Sequence, residues 1–311
     1  MKRKFKKIIA LFTLVSMVLL MSACFAGEPN YGNIYGSNNE TNLSSVSNNT
    51  NSNDNTDNND DFNKETTISE QKCFEYNGMV VTAKSFVDDW LLGEGIKILV
   101  ENNSSKDYTV STEAVIVNNC MSSSLFVCEV AAGKKANETL YFSFSDFEKA
   151  GISNIGQIEI YFYVYDSNTY DTVYTAECVV IKTSNYNEMD TSVIDDGYVL
   201  YDSKGIKIVG KYVDENTLLG SSVLLYVENT SGKNITVSCE DMSINGYMVT
   251  GYLYSTVYSG KYAVDEISIL SSDLEENDIT KIEEVELKFH IYNADTYDTI
   301  VDTDAITFKV N

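Results

Sequence analysis

The 311-residue chain carries 46 acidic side chains against 22 Lys and Arg, a net charge of −24, with a single histidine. That balance argues against nucleic acid as a partner, because neutralising phosphates takes a basic surface, and it favours cationic partners or divalent ions. The one arginine is Arg3, so no guanidinium fork is left further along the chain to grip a phosphate or carboxylate.

Lys2, Arg3, Lys4, Lys6 and Lys7 precede an apolar run from Ile8 to Met21 broken only by Thr13 and Ser16. This is the charged and hydrophobic pattern of a signal peptide over residues 1–23, and the run is shorter than the roughly 20 residues a spanning helix needs. Its end, Leu20-Met21-Ser22-Ala23-Cys24, resembles the lipobox of bacterial lipoproteins, with Met21 in place of the usual Leu. The resemblance implies cleavage before Cys24, lipidation of Cys24, and a membrane anchor on the extracytoplasmic face of a Gram-positive cell. Loss of residues 1–23 removes five cations and no acid, leaving 17 positive against 46 negative charges. Residues 24–72 then turn to Asn, Ser, Thr and Asp, with NNTNSNDNTDNNDD from Asn48 to Asp61. So few apolar groups cannot offset the entropy of ordering, which predicts a disordered tether.

Beyond it the chain repeats. A shift of 127 residues lays Gly78–Ser184 on Gly205–Asn311 without a gap: LLGEGIKILVENNSSKDYTVS answers LLGSSVLLYVENTSGKNITVS, and YDSNTYDTVY answers YNADTYDTIV. This is a tandem duplication, with one domain over residues 73–184 and a second over 198–311. Within each copy the apolar residues alternate. QIEIYFYVY (157–165) and EVELKFHIY (284–292) each put one face on a core and the other outward. About seven such strands are predicted per copy, with Asn118-Asn119 and Asn245-Gly246 as tight hairpin turns. Ser145-Asp-Phe-Glu148 and Ser272-Asp-Leu-Glu275 have capping-box spacing and predict one short helical turn in each copy. The fold class expected is therefore all-β: two tandem antiparallel β-sandwiches after the tether. The VEN-turn strand, the Gly-Lys strand start and the aromatic last hairpin resemble the immunoglobulin-like, telokin-like domains of poorly characterised Gram-positive surface lipoproteins. That resemblance covers most of residues 74–311 and brings no activity with it.

Duplication also separates fold from site, since a residue the fold requires tends to recur. Cys73, Cys120, Cys128, Cys178 and Cys239 face Leu200, Tyr247, Ser255, Ala305 and Thr112, so no shared disulfide framework or zinc site is encoded, while a Cys120–Cys128 bridge stays open. His290 aligns with Tyr163 and has no fixed nucleophile beside it, which points away from an enzyme. Asp166, Asn168 and Asp171, matched by Asn293, Asp295 and Asp298, supply oxygens over a short span. Two roles follow, weak calcium ligation and closure of the hairpin by Asx turns, and the missing glycine and glutamate of an EF-hand loop favour the second. Tyr161, Tyr163 and Tyr165 form an outward row suited to a protein or glycan partner, or to cross-strand support of the sheet. Trp90 faces Thr217 and is unique to the first copy. The function expected is that of a lipid-anchored extracytoplasmic binding or interaction protein without catalysis or cofactor. The alternatives are an envelope-associated spacer without a ligand and a calcium-dependent surface module.

Overall fold

The computed structural model describes residues 31–36, 65–189 and 191–311. The signal peptide, Cys24 and tether residues 37–64 lie outside the described residues. Among the described residues, one compact unit comprises 65–189, 191–194 and 261–264, and the other comprises 31–36, 195–260 and 265–311. No helix among them is long and apolar enough to cross a membrane. The chain is all-β with antiparallel sheets, and the first described strand, β1 (Tyr31–Gly36), belongs to the second unit.

In the first unit, β2 (Gln71–Tyr76), β3 (Met79–Asp89), β4 (Gly93–Asn102) and β8 (Lys134–Tyr141) form one sheet. The other consists of β5 (Tyr108–Val117), β6 (Cys120–Ser122), β7 (Val127–Val130), β9 (Gln157–Asp166), β10 (Thr172–Thr175) and β11 (Val179–Lys182). Period-two patterning places Val81, Ile96, Ile98 and Val100 of the first sheet and Val110, Phe126, Ile160 and Phe162 of the second in one buried cluster. That is the sandwich arrangement, in which each sheet buries one face against the other.

The arrangement recurs with every strand starting 127 residues later: β12 (Tyr198–Ser203), β13 (Ile206–Thr217), β14 (Gly220–Asn229), β15 (Ile235–Ile244), β16 (Tyr247–Met248), β17 (Tyr254–Val257), β18 (Lys261–Leu270), β19 (Glu284–Asn293), β20 (Thr299–Asp302) and β21 (Ile306–Val310), all in the second unit except residues 261–264 of β18. The predicted hairpin turns hold in both units, with left-handed φ at Asn118 and Asn119 and at Asn245 and Gly246. Asn118 Oδ1 accepts the amides of Gly156 and Gln157, and Asn245 Oδ1 those of Glu283 and Glu284.

A buried asparagine explains the shared VEN stretch. Asn102 is fully buried; its Nδ2 donates to the carbonyls of Lys106 and Val130 at 2.7 and 2.8 Å, and its Oδ1 accepts from Ser104 N and Oγ. Asn229 does the same with Lys233, Val257 and Ser231. A buried amide with every bond made fixes the turn, and leaving those partners unpaired is costly.

Two expectations need correction. The helical turns exist, as α1 (Phe144–Ala150) and α2 (Ser271–Glu276), but neither uses the capping box. Helix α1 is capped by Ser143 and α2 by Leu270, without a side-chain cap bond. The recurring acid works elsewhere: Asp146 Oδ2 accepts the Ser123 amide at 2.7 Å, and Asp273 Oδ2 the Thr250 amide at 3.1 Å, so each pins its helix to the preceding loop. The second correction concerns residues 31–36, expected within the disordered tether. They form β1, paired antiparallel with β13 (Tyr31↔Asp214, Gly32↔Val213, Asn33↔Tyr212) and then with β21 (Ile34↔Val310, Tyr35↔Lys309, Gly36↔Phe308). The order comes from tertiary pairing and from burial of Gly32 and Ile34, and six residues of local sequence do not announce it.

Candidate functional site

Alternation along β9 turns Tyr161, Tyr163 and Tyr165 away from the core, as expected, but the sheet leaves them half-buried instead of open. Tyr163 and Tyr165 stack at 6.0 Å between ring centroids, and Tyr170 from the following turn extends the row at 6.2 Å with 57% of its surface exposed. Burial pushes the Tyr165 phenol above its ordinary pKa, opposed by a hydrogen bond from Thr109. The second unit builds the matching row from His290, Tyr292 and Tyr297, at 5.2 and 6.2 Å. Tyr292 likewise titrates high through burial, then through Tyr254. Because its stacked part recurs, the row comes with the domain, and it differs in the second unit by Lys288 in place of Tyr161 and His290 in place of Tyr163.

The repeated acidic turn holds this row in place. Asp166 Oδ1 accepts the amides of Asn168 and Thr169, the Tyr170 amide donates to Asp166 O at 2.8 Å, and the Asp166 amide donates to Asp171 O. Asn293 Oδ1 does the same for Asp295 and Thr296, with Tyr297 donating to Asn293 O. Tyr170 and Tyr297 consequently sit at φ of 64° and 62°, a left-handed conformation that side chains other than Asn, Asp and Gly seldom adopt. The Asn168 amide, together with the Thr169 amide and Lys106, holds the Asp166 carboxyl below its usual range. Asn168, Asp171, Asp295 and Asp298 are exposed. Asp295 Oδ1 accepts from Asn234 Nδ2 at 3.4 Å, and Asp298 Oδ2 from Thr296 Oγ1 at 2.8 Å. The paired amide bonds to Asp166 Oδ1 and Asn293 Oδ1 are those of an Asx turn closing each hairpin. Among the described residues no group of three or more His, Cys, Asp or Glu is assembled as a metal would need.

His290 Nδ1 lies 2.5 Å from Asp302 Oδ1. Ser238, its cross-strand neighbour, spends its hydroxyl on the His290 carbonyl at 3.3 Å. The serine hydroxyl is thus bonded to backbone. Cys73, Cys120, Cys128, Cys178 and Cys239 carry thiols, without disulfides. Burial pushes Cys73 and Cys128 up to about 11 and Cys239 to about 12, the opposite of an activated thiolate.

The feature that sequence reasoning undervalued is the β3–β4 hairpin tip. Trp90, Leu91 and Leu92 are 91%, 68% and 54% exposed, and Asp89 Oδ1 accepts the amides of both leucines at 2.9 and 3.0 Å, so the tip is a structured wedge. Leu218 and Leu219 stand exposed at the same place in the second unit, without the tryptophan. The signal was available: three consecutive apolar residues at a hairpin turn, where turn residues belong. No protein-family model matches the chain, and no curated protein matches it either.

Proposed function

We propose that this is a lipoprotein of the extracytoplasmic face, anchored through Cys24, whose two immunoglobulin-like sandwiches serve a non-enzymatic interaction with a protein or glycan partner. The anchor rests on the signal-like N-terminus and lipobox resemblance, and the domain reading on the antiparallel sandwich-like sheets of each unit. The observation that carries the interaction is the Trp90-Leu91-Leu92 tip. Three contiguous apolar side chains in water cost free energy that a spacer has no reason to spend, whereas tryptophan is the side chain most enriched where binding energy concentrates. The stacked tyrosines add a rigid amphipathic surface of the same kind.

The test replaces Trp90 with a photo-crosslinkable phenylalanine analogue in intact cells. A covalent adduct of discrete mass that is absent when the analogue sits at exposed Glu138 supports the reading. Equal, diffuse labelling at both positions favours the spacer. Labelling with a fatty-acid analogue is expected for the wild type and lost in Cys24→Ala.

A further inference from the structure

In the first unit, the residues directly before β2 border the last strand: Ile68 bridges Thr183, and the Ser184 amide donates to Thr67 O at 2.8 Å. The second unit has the same stations, Val310 and Asn311, but the residues at the 127-residue offset, Ile194 and Asp195, do not fill them. Ile194 reaches the first unit's helix end, where a Cβ on Gly151 would meet its Cδ1 at 2.3 Å, and Asp195 pairs with Lys207 at 2.6 Å. The vacant stations are taken by β1. Ile34 pairs with Val310 as Ile68 does with Thr183, and the Asn311 amide donates to Asn33 O at 3.1 Å as Ser184 does to Thr67.

The fit is specific in shape. Gly32 is buried so closely that a Cβ would meet Val310 Cγ1 at 2.4 Å, and a Cβ on Gly36 would meet the Tyr198 hydroxyl at 2.7 Å. Ile34 is 8% exposed, its Cδ1 3.0 Å from where a Cβ on Gly210 would stand. Tyr31 packs edge-on against Tyr212 at 4.5 Å. Along β13, β12 ends its pairing at Gly210 and β1 resumes it at Tyr212, so one strand completes what the other leaves open.

We propose that the edge made by Tyr212–Asp214 and Phe308–Val310 is a strand-binding site. Its ligand is the chain's own segment Tyr31–Gly36, which is replaceable by the same segment of a second copy. Recognition uses main-chain pairing for affinity and the small-x-aliphatic pattern of Gly32 and Ile34 for selectivity, the logic of β-strand addition. The site does not depend on the lipid anchor or on the Trp90 tip.

The test uses the full chain carrying Ile34→Asp, a change that expels the resident strand, and a fluorescein-labelled peptide of residues 29–38. Hydrogen exchange of the Asn311 amide should accelerate at least tenfold in the variant, while the Ser184 amide of the first unit stays unchanged as an internal control. The peptide should bind the variant, restore Asn311 protection, and bind the wild type at least tenfold more weakly; a peptide with Gly32→Val should not bind. Unchanged Asn311 protection in the variant, failure of the peptide to bind or restore it, or equal binding of the two peptides would each overturn the proposal. Restoration by peptide also separates strand loss from misfolding.

Discussion

Thr67 and Ile68 reach the residues after β11 from just ahead of β2, whereas Asn33 and Ile34 reach the matching stations of the second unit from upstream of the whole first copy in sequence. The buried asparagines, by contrast, repeat bond for bond: Asn102 and Asn229 each hold two carbonyls and one serine. What a duplicated domain must keep is the interior that no other segment can supply. An edge can be completed from a distance, because the entropy of closing a loop grows only by about 0.6 kcal/mol for each doubling of its length.

The comparison is sharpened most strongly by Asn102→Ala and Asn229→Ala. Each should destabilise its own unit by about 3 kcal/mol, since two buried carbonyls and a serine lose their partner. Urea unfolding followed by hydrogen exchange in each unit reads this out, and unequal losses would break the equivalence of the two interiors. A smaller effect is expected from the thiols. Cys73, Cys128 and Cys239 have folded-state pKa values raised to about 11, 11 and 12, so the stability they contribute is intact below the unfolded thiol pKa and is lost as pH rises from about 9 through those values. Cys128→Ser, which installs the residue found at Ser255, should blunt the alkaline fall of the first unit's thermal midpoint and leave the second unit's untouched. Smallest of all is Trp90→Ala. With 91% of the side chain exposed, the first unit's stability should move by less than about 0.5 kcal/mol, and a larger loss would make the tip a structural plug.

Much of the architecture was legible because it is written in local period. The alternation in QIEIYFYVY and EVELKFHIY, the Asn-Asn and Asn-Gly turns and the 127-residue offset all act within a few residues or by simple comparison. The capping box misled because Ser145 and Ser272 lie inside the helices, and Asp146 and Asp273 bond to loops 23 residues earlier. The tyrosine row was assigned the correct side, but its half-burial depends on neighbouring strands that alternation does not specify. YGNIYG was missed for the same reason: its glycines weaken any local strand signal, and their value lies in close approach to Val310 and Tyr198.

The position of β1 also bears on the proposed anchor. Only six residues separate Cys24 from Tyr31, a reach of at most about 25 Å when fully extended. An acyl group on Cys24 would therefore moor the C-terminal unit close to the lipid headgroups. Detaching β1 from its edge would then lengthen that reach, like paying out a mooring line.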